Sequence, residues 1–298
     1  MEVADCIEKK IRIGTFSIAA KIWGNENGIP VLALHGWLDN ANTFDKIAPE
    51  LASDLYIVAI DLAGHGLSDH RSDDSAYYLW DYAMDVLKVV DQLGWKKYNI
   101  IAHSMGTGVA SIIAGAMPKT IDKLVFIDGL GAPFVIKEED IVSGFRKSVQ
   151  QLKMAKKTKL FGFSEETVPY FKTKEAAVKD RVDNVIGPIS EAAASILVER
   201  SLKTIPGGFR WMYDPRIVLP EGYRMTESQA QLFIKKISSK TLILLGKQGL
   251  FGTGMYEGRL ASFHSADIHW LPGGHHLHLE TASEKITKLI HQFFKNSH

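Results

Sequence analysis

Ser104 stands in the run Ile100-Ile101-Ala102-His103-Ser104-Met105-Gly106-Thr107-Gly108. An apolar, strand-like segment stops at this serine, and small residues occupy the positions two before and two after it, Ala102 and Gly106. Val109, Ile112 and Ile113 then recur at helical spacing. A small-x-Ser-x-Gly sequence between a strand and a helix is the pattern of a nucleophile elbow, whose turn is too tight to hold side chains at the flanking positions. The hydroxyl is presented at the carboxyl edge of a sheet and the amino end of a helix. That helix end offers free N–H groups and a partial positive charge to a developing anion. The chemistry implied is attack of an activated serine on an acyl carbonyl, which requires a base, an acid to orient it, and an oxyanion hole.

The base is sought among 11 histidines. The informative context is Leu271-Pro272-Gly273-Gly274-His275-His276-Leu277-His278-Leu279-Glu280, between the last apolar run and the last helical pattern. A histidine there reaches over the sheet edge. His275 is preferred, with His276 the adjacent alternative and His278 assigned to helix packing. A dedicated metal site is not expected, because the cluster lacks a second ligand group at metal-binding spacing. The acid must orient the imidazole and stabilise its charged form. The segment Leu245-Gly246-Lys247-Gln248-Gly249-Leu250-Phe251 contains no carboxylate, and the nearest one, Glu257, falls in a helical pattern. Asp128, closing the run Leu124-Val125-Phe126-Ile127, is the better candidate, with a loop-capping role as the alternative. The oxyanion donors are expected to be the backbone N–H groups of Met105 and of Trp37, in the loop His35-Gly36-Trp37-Leu38-Asp39. Removing one such donor costs roughly 2.7–4 kcal/mol of transition-state stabilisation.

The elements that must position these groups alternate. Ile11–Ile13 and Phe16–Ile22 read as a hairpin around Gly14-Thr15. Short apolar runs of the buried-strand type cover 30–34, 55–60, 98–101, 124–127, 241–245 and 267–271. Helical patterns separate them, including 78–93 stopped by Gly94, a short one around 255–263 and a terminal one through Phe294. Such alternation implies a mostly parallel sheet with helices on both faces. His35-Gly36, Asp61, Ser104, Asp128 and Gly246 all fall where an apolar run ends, the edge at which open parallel sheets build sites. From 132 to 225 the alternation is lost. Helical patterns rich in Lys, Glu and Ala lead into Pro206-Gly207-Gly208-Phe209-Arg210-Trp211, read as irregular. The expected organisation is a core of 1–131 and 226–298 with an inserted helical lid, 132–225.

A chain of 298 residues fits one large α/β domain with an insertion. Thirty-five basic and 34 acidic side chains nearly cancel, so no net charge draws the protein to nucleic acid or anionic membrane. A single cysteine, Cys6, excludes an intrachain disulfide, and no apolar run reaches membrane-spanning length. With no signal-peptide pattern at the amino end, a cytoplasmic protein without stable membrane insertion is expected. Arg146, Lys147, Lys153, Lys156, Lys157 and Lys159 form a basic stretch with Phe145, Val149 and Leu152 at helical spacing, read as the solvated face of a lid helix, with docking on an anionic membrane or steering of acidic substrates as the alternative.

Together these residues resemble the α/β-hydrolase superfamily over almost the whole chain. The landmarks are His35-Gly36-Trp37, Asp61-Leu62-Ala63-Gly64-His65-Gly66-Leu67-Ser68, Ala102-His103-Ser104-Met105-Gly106, and Gly274-His275 with Glu280. More narrowly, His35 to Asn40, the missing acid after Leu245, Asp214-Pro215-Arg216 and Asp128 are similar to the serine hydrolase-like proteins. The resemblance implies an α/β-hydrolase fold, a lid and hydrolysis without an organic cofactor. Asp61 and His65 are expected to be structural. The expected reaction is cleavage of a carboxylic ester of a small or medium apolar substrate through an acyl-enzyme. A thioester, amide or C–C bond cleaved by the same triad is the alternative, as is a hydrolase-derived small-ligand binding protein with little turnover. Phe134, Phe145, Phe209, Trp211 and Met212, with Trp37, are the candidate pocket-lining residues.

Overall fold

The computed structural model describes residues 6–72, 75–157, 168–183, 188–219, 221–251 and 257–296, with side chains left out at 152–157. Strands β1 (Ile7–Ile13), β2 (Phe16–Trp23), β3 (Ile29–Leu34), β4 (Leu55–Ile60), β5 (Tyr98–His103), β6 (Ile121–Ile127), β10 (Lys240–Gly246) and β11 (Ala266–Leu271) form one sheet in the order β1-β2-β4-β3-β5-β6-β10-β11. β1, β2 and β4 pair antiparallel, and every later pair is parallel. β4 and β5 are buried at every position, as strands covered on both faces must be. At the edge, β11 leaves Asp267, Ile268 and Trp270 at the surface, which suits a strand paired on one side.

Helices α2 (Leu79–Leu93), α3 (Met105–Ala116) and α7 (Glu227–Lys236) cover one face, and α1 (Ala48–Leu51) and α9 (Ser283–Lys295) the other. α2 ends as its sequence requires, with Gly94 in the left-handed conformation at φ 71°. Around 255–263 the helix is the single turn α8 (Glu257–Leu260), and Met255 lies outside the described residues.

Residues 132–225 carry α4 (Ile141–Lys157), α5 (Lys174–Asp183), α6 (Glu191–Glu199) and a three-stranded antiparallel sheet of β7 (Tyr170–Phe171), β9 (Gly208–Trp211) and β8 (Leu202–Ile205), in that order. The sequence reading of this segment as helical, with Pro206 to Trp211 irregular, is therefore corrected. Pro206 and Gly207 are the central residues of a two-residue hairpin turn between Ile205 and Gly208, and Gly207 has φ +87°. The strands escaped notice because they are short and half-exposed, without the alternation that marks a buried face.

Buried ion pairs and caps fasten this segment to the core. Arg181 of α5 pairs with Asp39, and Arg200, just after α6, holds Asp61 at 2.9 Å while reaching Glu8 at 2.6 Å. Asn40 and Asn42 each donate, at 2.8 Å, to the α6 carbonyls of Leu197 and Ile196, satisfying acceptors that a helix end leaves open. Asp61 also accepts from the N–H groups of Ala41 and Leu67, so it ties three segments together, a structural role. Arg216 forks onto Asp214 and donates to the carbonyls of Arg71, Ser72 and Ser75.

Candidate active site

The parallel ladder brings the chemistry to one edge. Ser104 follows β5 and donates its N–H to Ile127 at the end of β6; Asp128 follows β6 and donates its N–H to Leu244 of β10 at 2.8 Å. Ser104 has φ 50° and ψ −118°, the strained turn that aims its side chain off the strand end. Space explains the small neighbours: a Cβ on Gly106 would stand 2.4 Å from the Leu34 carbonyl oxygen. Among the described residues, the non-glycine residues with positive φ are Leu38, Ser104 and Asp128, one in each part of the site.

Ser104 Oγ lies 2.8 Å from His275 Nε2, and His275 Nδ1 lies 2.5 Å from Asp128 Oδ2. All three residues are buried. Asp128 is further fixed by the N–H of Gly246, which donates to Oδ1 at 2.9 Å, and that of Leu250, which donates to Oδ2 at 3.2 Å. The loop after β10 that lacks a carboxylate thus supplies donors to the carboxylate of the strand beside it. Burial lowers the His275 pKa below its ordinary 6.5, the Asp128 hydrogen bond opposing it, so the neutral imidazole is the resting form. A neutral Nε2 facing a serine hydroxyl can take its proton. Glu257, the other acid considered, is exposed on α8.

Trp37 and Met105 both line a cavity of about 440 Å³, and among the described residues the backbone N–H of neither donates elsewhere. The loop carrying Trp37 abuts Ser104, since a Cβ on Gly36 would lie 3.0 Å from Ser104 Cβ. The Trp37 indole donates to the Ile217 carbonyl at 3.0 Å and meets the Phe134 ring edge-on. Leu79, Trp80, Ile217 and Met225 add to the apolar wall, and Gln151, Glu221 and Arg224 add polar groups. Of the aromatic and Met candidates, Phe134 belongs to this wall. Phe145 is instead exposed on α4, and Phe209 packs with Trp211 and Phe171 in the core of the small sheet. Trp211 lines a separate cavity beside Asp39 and Arg181, and Met212 is half-buried outside all of these cavities. Phe209 and Trp211 lie on a strand whose own small core takes their apolar surface. Lys159 lies outside the described residues.

Sequence reasoning missed the buried network behind Ser104, His275 and Asp128. Asp39 receives Arg181 on Oδ1, while His276 Nε2 and His103 Nδ1 each stand 3.2 Å from Oδ2. His103 Nε2 contacts the His275 carbonyl at 3.0 Å, and His278 meets the Thr43 hydroxyl at 2.8 Å rather than packing in a helix. The neighbouring His276 and Arg181 hold the Asp39 carboxyl well below its usual range against burial, and burial brings His276 to about 4. The ligand atoms of Asp39, His103 and His276 lie within 4.8 Å of one another, close enough to bind a metal ion. The Arg181 guanidinium already balances the one negative charge there, and an added cation would be buried beside it uncompensated. The signal in the sequence was Asp39 itself, the last residue of the loop assigned to the oxyanion hole.

The model of the α/β hydrolase fold family matches residues 29–166. Over 93% of its length the chain is 34% identical to a serine hydrolase-like protein of Dictyostelium discoideum, covering 78% of that protein. It is also 34% identical to a serine hydrolase-like protein of Danio rerio, with 93% and 85% covered. The chain belongs to the serine hydrolase-like proteins of the α/β-hydrolase fold. Among solved structures it is similar to a hypothetical protein from Pseudomonas aeruginosa, at TM-score 0.89 and 37% identity over 97% of this chain and 99% of that one. The thioesterase domain from the curacin biosynthetic pathway superposes at TM-score 0.79 and 25% identity, over 96% and 99%. Membership in this family makes the chain serine hydrolase-like; no described helix is long and apolar enough to cross a membrane.

Proposed function

We propose that Ser104 is the nucleophile of a serine hydrolase, with His275 as its base and Asp128 as the group that orients His275. The observation that carries this reading is the continuous line from Ser104 Oγ through the His275 ring to Asp128, at 2.8 and 2.5 Å. As Ser104 attacks an acyl carbonyl, His275 Nε2 takes the hydroxyl proton and Asp128 stabilises the imidazolium through the opposite nitrogen. The N–H groups of Trp37 and Met105 receive the carbonyl oxygen as it becomes an oxyanion. His275 then protonates the leaving alcohol, and water hydrolyses the acyl-enzyme by the same steps in reverse order. The apolar cavity bounded by Trp37, Met105 and Phe134 favours a carboxylic ester of small or medium size, and residues 132–225 act as its lid.

The likeness to a thioesterase domain favours a thioester as the second reading, since the same oxyanion chemistry serves both. A reducing, cytoplasmic setting suits the single free Cys6. The test is labelling by a fluorophosphonate, which reacts with an activated serine. Wild type is expected to label and Ser104→Ala to stay unlabelled; absent labelling of the wild type refutes the proposal.

A further inference from the structure

A second cavity, of about 300 Å³, shares Gln151, Glu221, Tyr223 and Arg224 with the apolar one and adds Lys147 and Ser148 from α4. Among the described residues, two of its polar atoms lack hydrogen-bond partners. Ser148 is 2% exposed, and its Oγ has no hydrogen-bond partner. Arg224 Nε is buried and equally unpartnered, while its guanidinium lies over the Phe134 ring at 5.9 Å. The Glu221 carboxylate stays 3.8 Å away, beyond hydrogen-bond reach. Lys147 makes no ion pair among the described residues and brings a second positive charge. Buried donors left unpaired are costly, so a native fold that keeps two of them around one cavity is matched to an acceptor.

We propose that this cavity binds a terminal oxyanion, carboxylate or phosphate, of a substrate whose apolar body fills the neighbouring cavity beside Ser104. This rests on the reading of Ser104 as nucleophile. Arg224 presents its planar donors to the anion, Ser148 donates its hydroxyl, and Lys147 supplies charge from the rim. Glu221 opposes the anion less than an ordinary carboxylate would, because burial pushes its pKa up to about 7 and leaves it only partly ionised near neutral pH. Phe134 joins the two halves: one side of the ring faces the apolar wall and its face carries Arg224.

Two measurements separate this site from the catalytic reading. Esters matched in length but ending in methyl, carboxylate or phosphate, carried on the acyl or the alcohol side, are compared by kcat/KM. One anionic ending is expected to exceed methyl by tenfold or more, and Arg224→Gln to reduce that ratio to within twofold. Whether carboxylate or phosphate leads identifies the source of the anion. Independently of turnover, Ser104→Ala is titrated calorimetrically with hexanoate and hexyl phosphate. Binding of either that weakens tenfold on adding Arg224→Gln supports the site even if no ester is cleaved, a result that would instead count against Ser104. Hexanol binding as tightly as both anions, or anion binding unaffected by Arg224→Gln and by Ser148→Ala, overturns it.

Discussion

Gly249→Ala tests the placement of the acid without touching a side chain that does chemistry. Gly249 has no left-handed backbone to lose, so alanine is conformationally permitted there and its effect is one of space. Its Cβ would stand 2.3 Å from Asp128 Oδ1 and 2.6 Å from Oδ2, where ordinary contact begins near 3.4 Å. The carboxylate must retreat by about 1 Å. The loop cannot yield instead without loss, because Gly246 and Leu250, on either side of Gly249, hold the same carboxylate through their N–H groups. A 1 Å retreat stretches the 2.5 Å contact with His275 beyond hydrogen-bond range. Misplacement of that size costs about 10²-fold in rate, or roughly 2.7 kcal/mol of transition-state stabilisation. Asp128→Asn, which keeps the shape but loses the charge and the tautomer control, is expected to cost more, on the order of 10⁴-fold. The assay is release of 4-nitrophenol from 4-nitrophenyl butyrate, with the second-order rate of fluorophosphonate labelling in parallel and thermal unfolding as the control for folding. Gly249→Ala within threefold of wild type in both rates, with an unchanged melting temperature, would refute the account of how Asp128 is held.

The remaining expectations concern charge and burial. Because burial lowers the His275 pKa, the acid limb of kcat/KM should fall off with a midpoint below 6.5, as protonation removes the base; a midpoint above 6.5 contradicts the buried imidazole. Arg181→Met strands the buried Asp39 carboxylate and should cost about 3–5 kcal/mol in urea unfolding, part of it recovered by adding Asp39→Asn; a loss under about 1 kcal/mol shows that the pair is not holding α5 to the core. The Glu221 pKa in the fold is raised to about 7, above its unfolded value, so its contribution to stability is greatest at low pH and is lost as pH rises through 7. Glu221→Gln should therefore gain over wild type in thermal stability between pH 5 and pH 8, and a gap that does not widen over that range contradicts it.

Much of the fold was legible because each buried strand is a short apolar run and each run ends in a residue with a task. Leu55–Ile60 and Tyr98–His103 are buried throughout, so periodicity and burial agree there. The middle segment was read less well for a physical reason. β8 and β9 leave most of their side chains half-exposed and, among the described residues, pair only with one another and with the two residues of β7, so no long-range pattern marks them. Their apolar residues looked available to a ligand, yet Trp211 spends its surface on Phe171, with ring centroids 5.3 Å apart. Periodicity reports that a face is covered and is silent on what covers it.

The acid shows the opposite case, in which an absence in the sequence carried the information. With no carboxylate between Leu245 and Phe251, an acid for the proposed base His275 must come from the next strand, and Asp128 is one strand nearer Ser104. That move has two requirements the sequence meets but does not announce. Asp128 must turn back toward β10, which it does at φ 38°, in a left-handed region that aspartate tolerates better than most residues. The vacated loop must then donate to the carboxylate and leave room for it, and Gly246 and Gly249 do these two things. The same logic extends to Asp39, which is unneeded by the nucleophile but balances Arg181 and faces His103 and His276, the residues adjoining Ser104 and His275 in the chain. Residues 132–225 and the backbone beside Ser104 and His275 therefore share one buried carboxylate, so a change at Arg181, which contacts neither Ser104 nor His275, should alter the labelling rate of Ser104 as well as stability.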